Sequence, residues 1–168
     1  MRILGIDPGI AIVGYGIVDK EGNRYQTVAY DAVTTRAHTP LEQRLEKVYN
    51  GVDEIIKTYK PDVMSIEELF FNNNAKTALT VGQARGVIIL AAVKNGVPVY
   101  EYTPLQVKQA LTGYGRAGKT QIQQMMKSML GLTEIPKPDD VADALAIAVC
   151  HGNSIRFNSI KEFGGLTL

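Results

Sequence analysis

Cysteine and histidine are nearly absent from this chain of 168 residues. A single cysteine, Cys150, excludes an internal disulfide and a multi-cysteine zinc centre. Two histidines, His38 and His151, are too few for a histidine-rich metal site. No apolar run reaches the roughly 18 residues of a membrane helix. The N-terminus, MRILGIDPG, turns polar after six residues and is not expected to be a signal peptide, so a cytoplasmic location is expected. The composition also argues against disorder, because 45% hydrophobic and 21% charged residues are ordinary for a globular domain. The expected organisation is one domain over residues 1–152, followed by a loose Gly-, Asn- and Ser-containing tail over 153–168.

The net charge of +1 hides a division: −3 over residues 1–71, +6 over 72–128 and −2 over 129–168. The middle third carries Lys76, Arg85, Lys94, Lys108, Arg116, Lys119 and Lys127 against a lone Glu101. Such asymmetry fits either a polyanion-binding face or a solvated helix surface.

Apolar runs at 2–7, 10–18 and 24–33, joined by the turn signals Asp7-Pro8-Gly9 and Asp19 to Asn23, predict a three-stranded antiparallel meander. Thr39-Pro40 offers an N-cap and a first-turn proline. Apolar residues at helical spacing from Leu41 to Ile56 then predict a helix over 40–59. A strand at 62–67, a long helix at 74–94 and a strand at 97–102 follow. Three helices are expected from Thr103 to about His151, broken near 112–118 and at Pro136–Pro138. The fold class is α/β, with a mixed five-stranded sheet (three antiparallel strands plus two parallel) flanked by helices.

Two apolar strands end in an acid, RILGID on Asp7 and DVMSIE on Glu67. A buried strand tolerates that only where something positive meets the charge. A later helix opens with Asp139, Asp140 and Asp143, favourable for its macrodipole, and Asp140 and Asp143 share a face at i, i+3. Ala142, Ala144 and Ala146 would let that helix lie close on the sheet. Carboxylates without histidine make an all-oxygen site suited to Mg²⁺ or Mn²⁺, and a pair of such ions supports phosphoryl transfer. The plainer reading of each acid is a turn or helix cap. Glu68 adjoins Glu67 on a strand whose side chains alternate, so only one can face the site. Asp139, at i, i+4 from Asp143, could replace Asp140.

GIDPG, SIEELFF, LTVGQARGVIILAAV and DDVADALAIA, in this order over about residues 1–152, resemble the RuvC family of Holliday-junction resolvases, within the ribonuclease-H-like fold. The resemblance implies that Asp7, Glu67, Asp140 and Asp143 hold two Mg²⁺ ions, with Asp140 the most tolerant position, since some members carry His there. It further implies a homodimer formed largely through the helix at 74–94, a four-way DNA junction as substrate, and RuvA and RuvB as partners. It places DNA contacts at Lys108, Lys119 and Phe70.

Gly113 to Thr120 match the Gly-x-x-x-x-Gly-Lys-Ser/Thr phosphate-binding pattern. That mechanism needs an apolar strand directly before the loop, and TPLQVKQAL reads as a helix. A glycine-rich basic turn in which Arg116 and Lys119 meet DNA phosphates is the better reading; a P-loop NTPase is the rival. No other cofactor-binding motif is present. A nearer rival is a ribonuclease-H-like enzyme acting on RNA–DNA hybrids or ribosomal RNA precursors. Phe70 and Phe71 precede Asn72-Asn73-Asn74 and could stack on bases or fold into the core. Ala78, Gly82 and Gly86, at four-residue spacing, suit close packing on the sheet or across a dimer.

Overall fold

The computed structural model describes residues 1–68 and 75–163, with side chains described except at 75–77 and 156–163. Three antiparallel strands open the chain: β1 (Arg2–Asp7), β2 (Ile12–Glu21) and β3 (Arg24–Thr34). Helix α1 (Leu41–Tyr59) leads to β4 (Val63–Glu67), α2 (Ala75–Lys94) and β5 (Val99–Tyr102). Helices α3 (Pro104–Thr112), α4 (Lys119–Met129) and α5 (Asp139–Phe163) complete the order. The sheet runs β3-β2-β1-β4-β5, with β1, β4 and β5 parallel and β2 antiparallel to both its neighbours. This is the mixed five-stranded sheet expected from the sequence.

Period-two alternation divides the strands between two cores. Leu4, Ile6, Val13, Ile17, Met64 and Ile66 face α1 and α2, where Val48, Val52, Ile55 and Ile56 pack against them. Ile3, Val18 and Val63 face the opposite layer of α3, α4 and α5. Ile3, Leu4 and Ile6 are fully buried, each worth about 1.5–3 kcal/mol relative to exposure. By the same parity Asp7 and Glu67 face the α5 layer, and Glu68 is exposed.

Helix α5 crosses β1 and β2 and reaches β4. The expected small residues make that possible: Ala142, Ala144 and Ala146 are all buried. The matching device lies on the strands. A Cβ on Gly5 would collide with the Ala144 carbonyl, and one on Gly14 with the Asp140 carbonyl. Glycine at these two positions lets helix backbone rest on sheet backbone.

Several boundaries move. Pro40, not Thr39, takes the N-cap of α1, with no side-chain cap bond; extended at ψ 140°, it accepts the Arg44 N–H through its own carbonyl. α3 has the Thr-Pro opening in full, with Thr103 and Gln106 forming a capping box. The last helix does not end near His151 but continues to Phe163; the Gly-Asn-Ser residues that suggested a loose segment begin inside it. Asn153 explains part of this, joining Tyr25 at 2.7 Å and the Ala110 carbonyl at 3.0 Å. Among the described residues no helix is long and apolar enough to cross a membrane.

Candidate active site

The parallel pairing of Ile6 with Ile66 brings the C-terminal ends of β1 and β4 side by side, so Asp7 and Glu67 finish at one edge. On the other flank Asp7 pairs with Gly14 of β2, and over Gly14 lies the main chain of Asp140. One turn on, Asp143 enters the same group. Acids from two strands and one helix thus converge.

Their electrostatics record that convergence. Burial first, then the charges of Glu67, Asp143 and Asp140, push the Asp7 carboxyl up to about 8. Glu67 is raised by burial and by Asp143, against a hydrogen bond with Asp7. Burial also raises Asp143, with Lys119 pulling the other way. Carboxylates that disfavour one another's ionised form are stabilised by a bound cation. All donors are oxygen, as hard divalent ions prefer. As the side chains stand, no three His, Cys, Asp or Glu among the described residues form a group that could hold an ion. The fit is therefore one of donor chemistry and charge.

Asp139 belongs to a different arrangement. It takes a 2.7 Å ion pair from Lys137 and a 3.2 Å one from Lys119, which hold its carboxyl down to about 2. It is thus already matched by cations, whereas Asp140 lies within the field of Asp7.

A cleft of about 170 Å³ adjoins the acids. Glu67, Asp143, Lys108 and Lys119 line it, with Pro104, Val107, Ile122, Ala146 and Ile147 as apolar wall. Two of the expected DNA-binding lysines therefore stand beside the carboxylates. Arg116 lies exposed in the turn between α3 and α4 and does not line the cleft. Phe70, like Phe71, lies outside the described residues.

The P-loop reading fails on geometry. The segment before Gly113 is helix α3, not the strand such a loop requires; Lys119 pairs with Asp139 and Asp143. The basic middle third also divides. Arg85 is largely buried and bound to Glu101 at 2.7 Å, and Lys94 sits over the Tyr49 ring. His151 is buried, with Nδ1 bonded to the Tyr102 hydroxyl at 2.7 Å, away from the acids. On α2, Ala78 is buried but Gly86 faces open space. Beside Gly86, the exposed Leu79, Leu90 and Val93 fall at helical spacing on one stripe.

Sequence reasoning did not foresee Gly5 and Gly14 as the seat of α5; the signal available was glycine among the apolar residues of β1 and β2. It also left the Asp139–Lys137–Lys119 cluster unseen, because pairing across a turn and two helices has no local signature.

The family model for "Crossover junction endodeoxyribonuclease RuvC" matches residues 3–151. A protein of that name from Clostridioides difficile is 59% identical over 166 residues, covering 98% of each chain. Its namesake from Brevibacillus brevis is 61% identical, covering 96% of this chain and 98% of the other. The solved structure of Thermus thermophilus RuvC in complex with a Holliday junction substrate superimposes with a TM-score of 0.90. It is 39% identical, over 95% of this chain and 97% of that one. A yeast mitochondrial Holliday junction resolvase, 15% identical with a TM-score of 0.63, shares the fold. With the family match spanning nearly the whole chain, and acids gathered at one edge of its sheet, this protein belongs to the RuvC family of crossover junction endodeoxyribonucleases.

Proposed function

We propose that this chain resolves Holliday junctions as a homodimer, nicking two opposed strands by metal-dependent hydrolysis in DNA recombination and repair. The observation that carries this reading is the convergence of Asp7, Glu67, Asp140 and Asp143 beside a lysine-lined cleft. The Thermus relative crystallised with a junction supports the substrate.

In this reading the four acids hold two Mg²⁺ ions, for which Mn²⁺ can substitute. Such a pair, when bound, lowers the pKa of an attacking water and stabilises charge on the leaving oxygen. Asp7 and Glu67 supply fixed carboxylates from the ends of rigid strands. Asp140 and Asp143 close the set from α5. Lys108 and Lys119 hold the backbone phosphates, with Arg116 further out and Phe70 stacking on a base at the junction centre. Since none of these contacts but Phe70 touches a base, affinity should be strongly salt-dependent. Lys119→Ala is expected to flatten the salt slope.

The apolar stripe of Leu79, Leu90 and Val93 on α2 supports the dimer. A two-fold dimer would present two identical sites to a junction of matching symmetry. RuvA and RuvB as partners, and a cytoplasmic location, accompany this reading.

The test is cleavage of a labelled four-way junction, a linear duplex and an RNA–DNA hybrid, with Mg²⁺, with EDTA and with Asp7→Asn protein. Paired symmetric nicks in the junction alone, lost with EDTA and in the variant, are expected. Cutting of the hybrid instead would keep the site and change the substrate.

A further inference from the structure

Lys119 is the first residue of α4, whose N-cap, Gly118, makes no side-chain cap bond. A cation at a helix N-terminus is disfavoured by the macrodipole, so something must hold this one there. Its ammonium lies 3.2 Å from Asp139 Oδ2 and 3.4 Å from Asp143 Oδ2. Asp139 is itself fixed from its other oxygen. Oδ1 accepts from Lys137 Nζ at 2.7 Å and from Gln123 Nε2 at 3.4 Å. Gln123 sits one turn after Lys119 on α4, so helix and carboxylate are tied at two points. Asp143, in contrast, belongs to the acidic cluster with Asp7 and Glu67. Lys119 therefore bridges two groups: a fully matched carboxylate at the rim and an under-compensated one inside.

We propose that Lys119 is a built-in counter-cation sharing Asp143 with the divalent site, and that Asp139 is the positioning residue that holds it there. A divalent ion could take Asp143 Oδ2 only if that oxygen released the ammonium. Asp139 retains it at the rim of the cleft, where a DNA phosphate can take it. Ion entry and phosphate capture by Lys119 are then coupled, and the coupling is reciprocal. This inference rests on the reading that the cluster binds divalent ions.

The experiment is calorimetric titration of Ca²⁺ into the full-length, DNA-free protein, so that binding is read without catalysis. Lys119→Met is expected to tighten Ca²⁺ binding about three- to fivefold, as removal of an exposed competing charge would. Lys137→Met, which removes a cation paired with Asp139 alone, is expected to change it by less than about twofold. In an Asp139→Asn background the gain from Lys119→Met should shrink toward none, the signature of coupled residues. Unchanged or weaker Ca²⁺ binding in Lys119→Met would overturn the proposal. So would equal tightening in Lys137→Met, which marks a general charge effect. An undiminished gain in the Asp139→Asn background would remove Asp139 from the role. Absence of Ca²⁺ binding by the wild-type protein would overturn the divalent reading itself, and this inference with it.

Discussion

Gly14 stands opposite Asp7 in the β1–β2 ladder and directly beneath the main chain of Asp140. The missing side chain at Gly14 fixes how closely the start of α5 approaches the end of β1. It thereby fixes whether Asp140 and Asp143 can share a site with Asp7.

Gly14→Ala should therefore act on geometry more than on folding. The added methyl meets backbone, which cannot swing aside, so the first turn of α5 must lift. A stability loss of about 1–3 kcal/mol is expected. Junction cleavage should fall about a hundredfold, since small misplacements of catalytic groups cost that much. Thermal melts and cleavage rates measured together would check this; a variant that cuts normally would remove Gly14 from the site's architecture.

Asp7 and His151 give the metal-free protein opposite pH dependences. Asp7 is raised from 3.8 to about 8, so between those values the unfolded chain has released a proton that the native chain keeps. Stability contributed by Asp7 accordingly falls as pH rises through that window. Burial lowers His151 from 6.5 to about 4, so below 6.5 the unfolded chain binds a proton the native chain refuses, and stability falls as pH drops. The two oppose each other from pH 4 to 6.5; from there to about 8 the Asp7 slope, which the raised Glu67 and Asp143 share in sign, is no longer opposed by His151. In EDTA the melting temperature is expected to fall over that upper window. Asp7→Asn should flatten the slope and raise the melting temperature at its alkaline end by roughly 5 °C.

Asp139 and Asp140 should separate cleanly. Asp140 stands in the field of Asp7, while Asp139 is occupied by Lys137 and Lys119. Asp140→Ala is expected to cut cleavage by about a hundredfold, the scale of losing one fixed electrostatic partner. Asp139→Ala should cost only about tenfold, the low end for a supporting contact. Single-turnover rates at saturating Mg²⁺ would measure both, and a reversed order would exchange their roles.

Leu90 lies in the exposed stripe on α2 with Leu79 and Val93. If that stripe is the dimer face, Leu90→Glu buries a charge against apolar partners and should yield a monomer that still folds. Sedimentation equilibrium reads the outcome. A dimer that persists would place the interface elsewhere on the molecule.

Local chemistry made much of this molecule legible in advance. Apolar runs bounded by turn signals located five strands, and helical spacing, Thr-Pro openings and proline or glycine breaks located five helices, because burial and chain geometry impose those patterns locally. Strand alternation allowed only one of Glu67 and Glu68 to face the site, the resemblance favoured Glu67, and in the fold Glu67 shares the face of Val63 while Glu68 is exposed. Strands ending in Asp7 and Glu67, and a helix opening on Asp139, Asp140 and Asp143, pointed to an all-oxygen site, since such charges are costly there without a purpose. A motif's meaning depends on its neighbours: Gly113 to Thr120 match a phosphate loop, but the helical pattern of TPLQVKQAL before them argued against one, and α3 stands there. The end of the last helix was misplaced because Asn153 is held by Tyr25 and Ala110, which are distant along the chain.

The amino-acid order by itself determined which residues carry charge, which faces are apolar and where each strand must end. Only the tertiary structure decided which of the acids meet. That Asp139 is paired with Lys137 and Lys119 while the charge of Asp140 bears on Asp7 follows from the approach of α5 to Gly14 and from the reach of Lys119 from α4. Both are contacts between segments more than a dozen residues apart or on separate elements, and no local pattern encodes a distance of that kind.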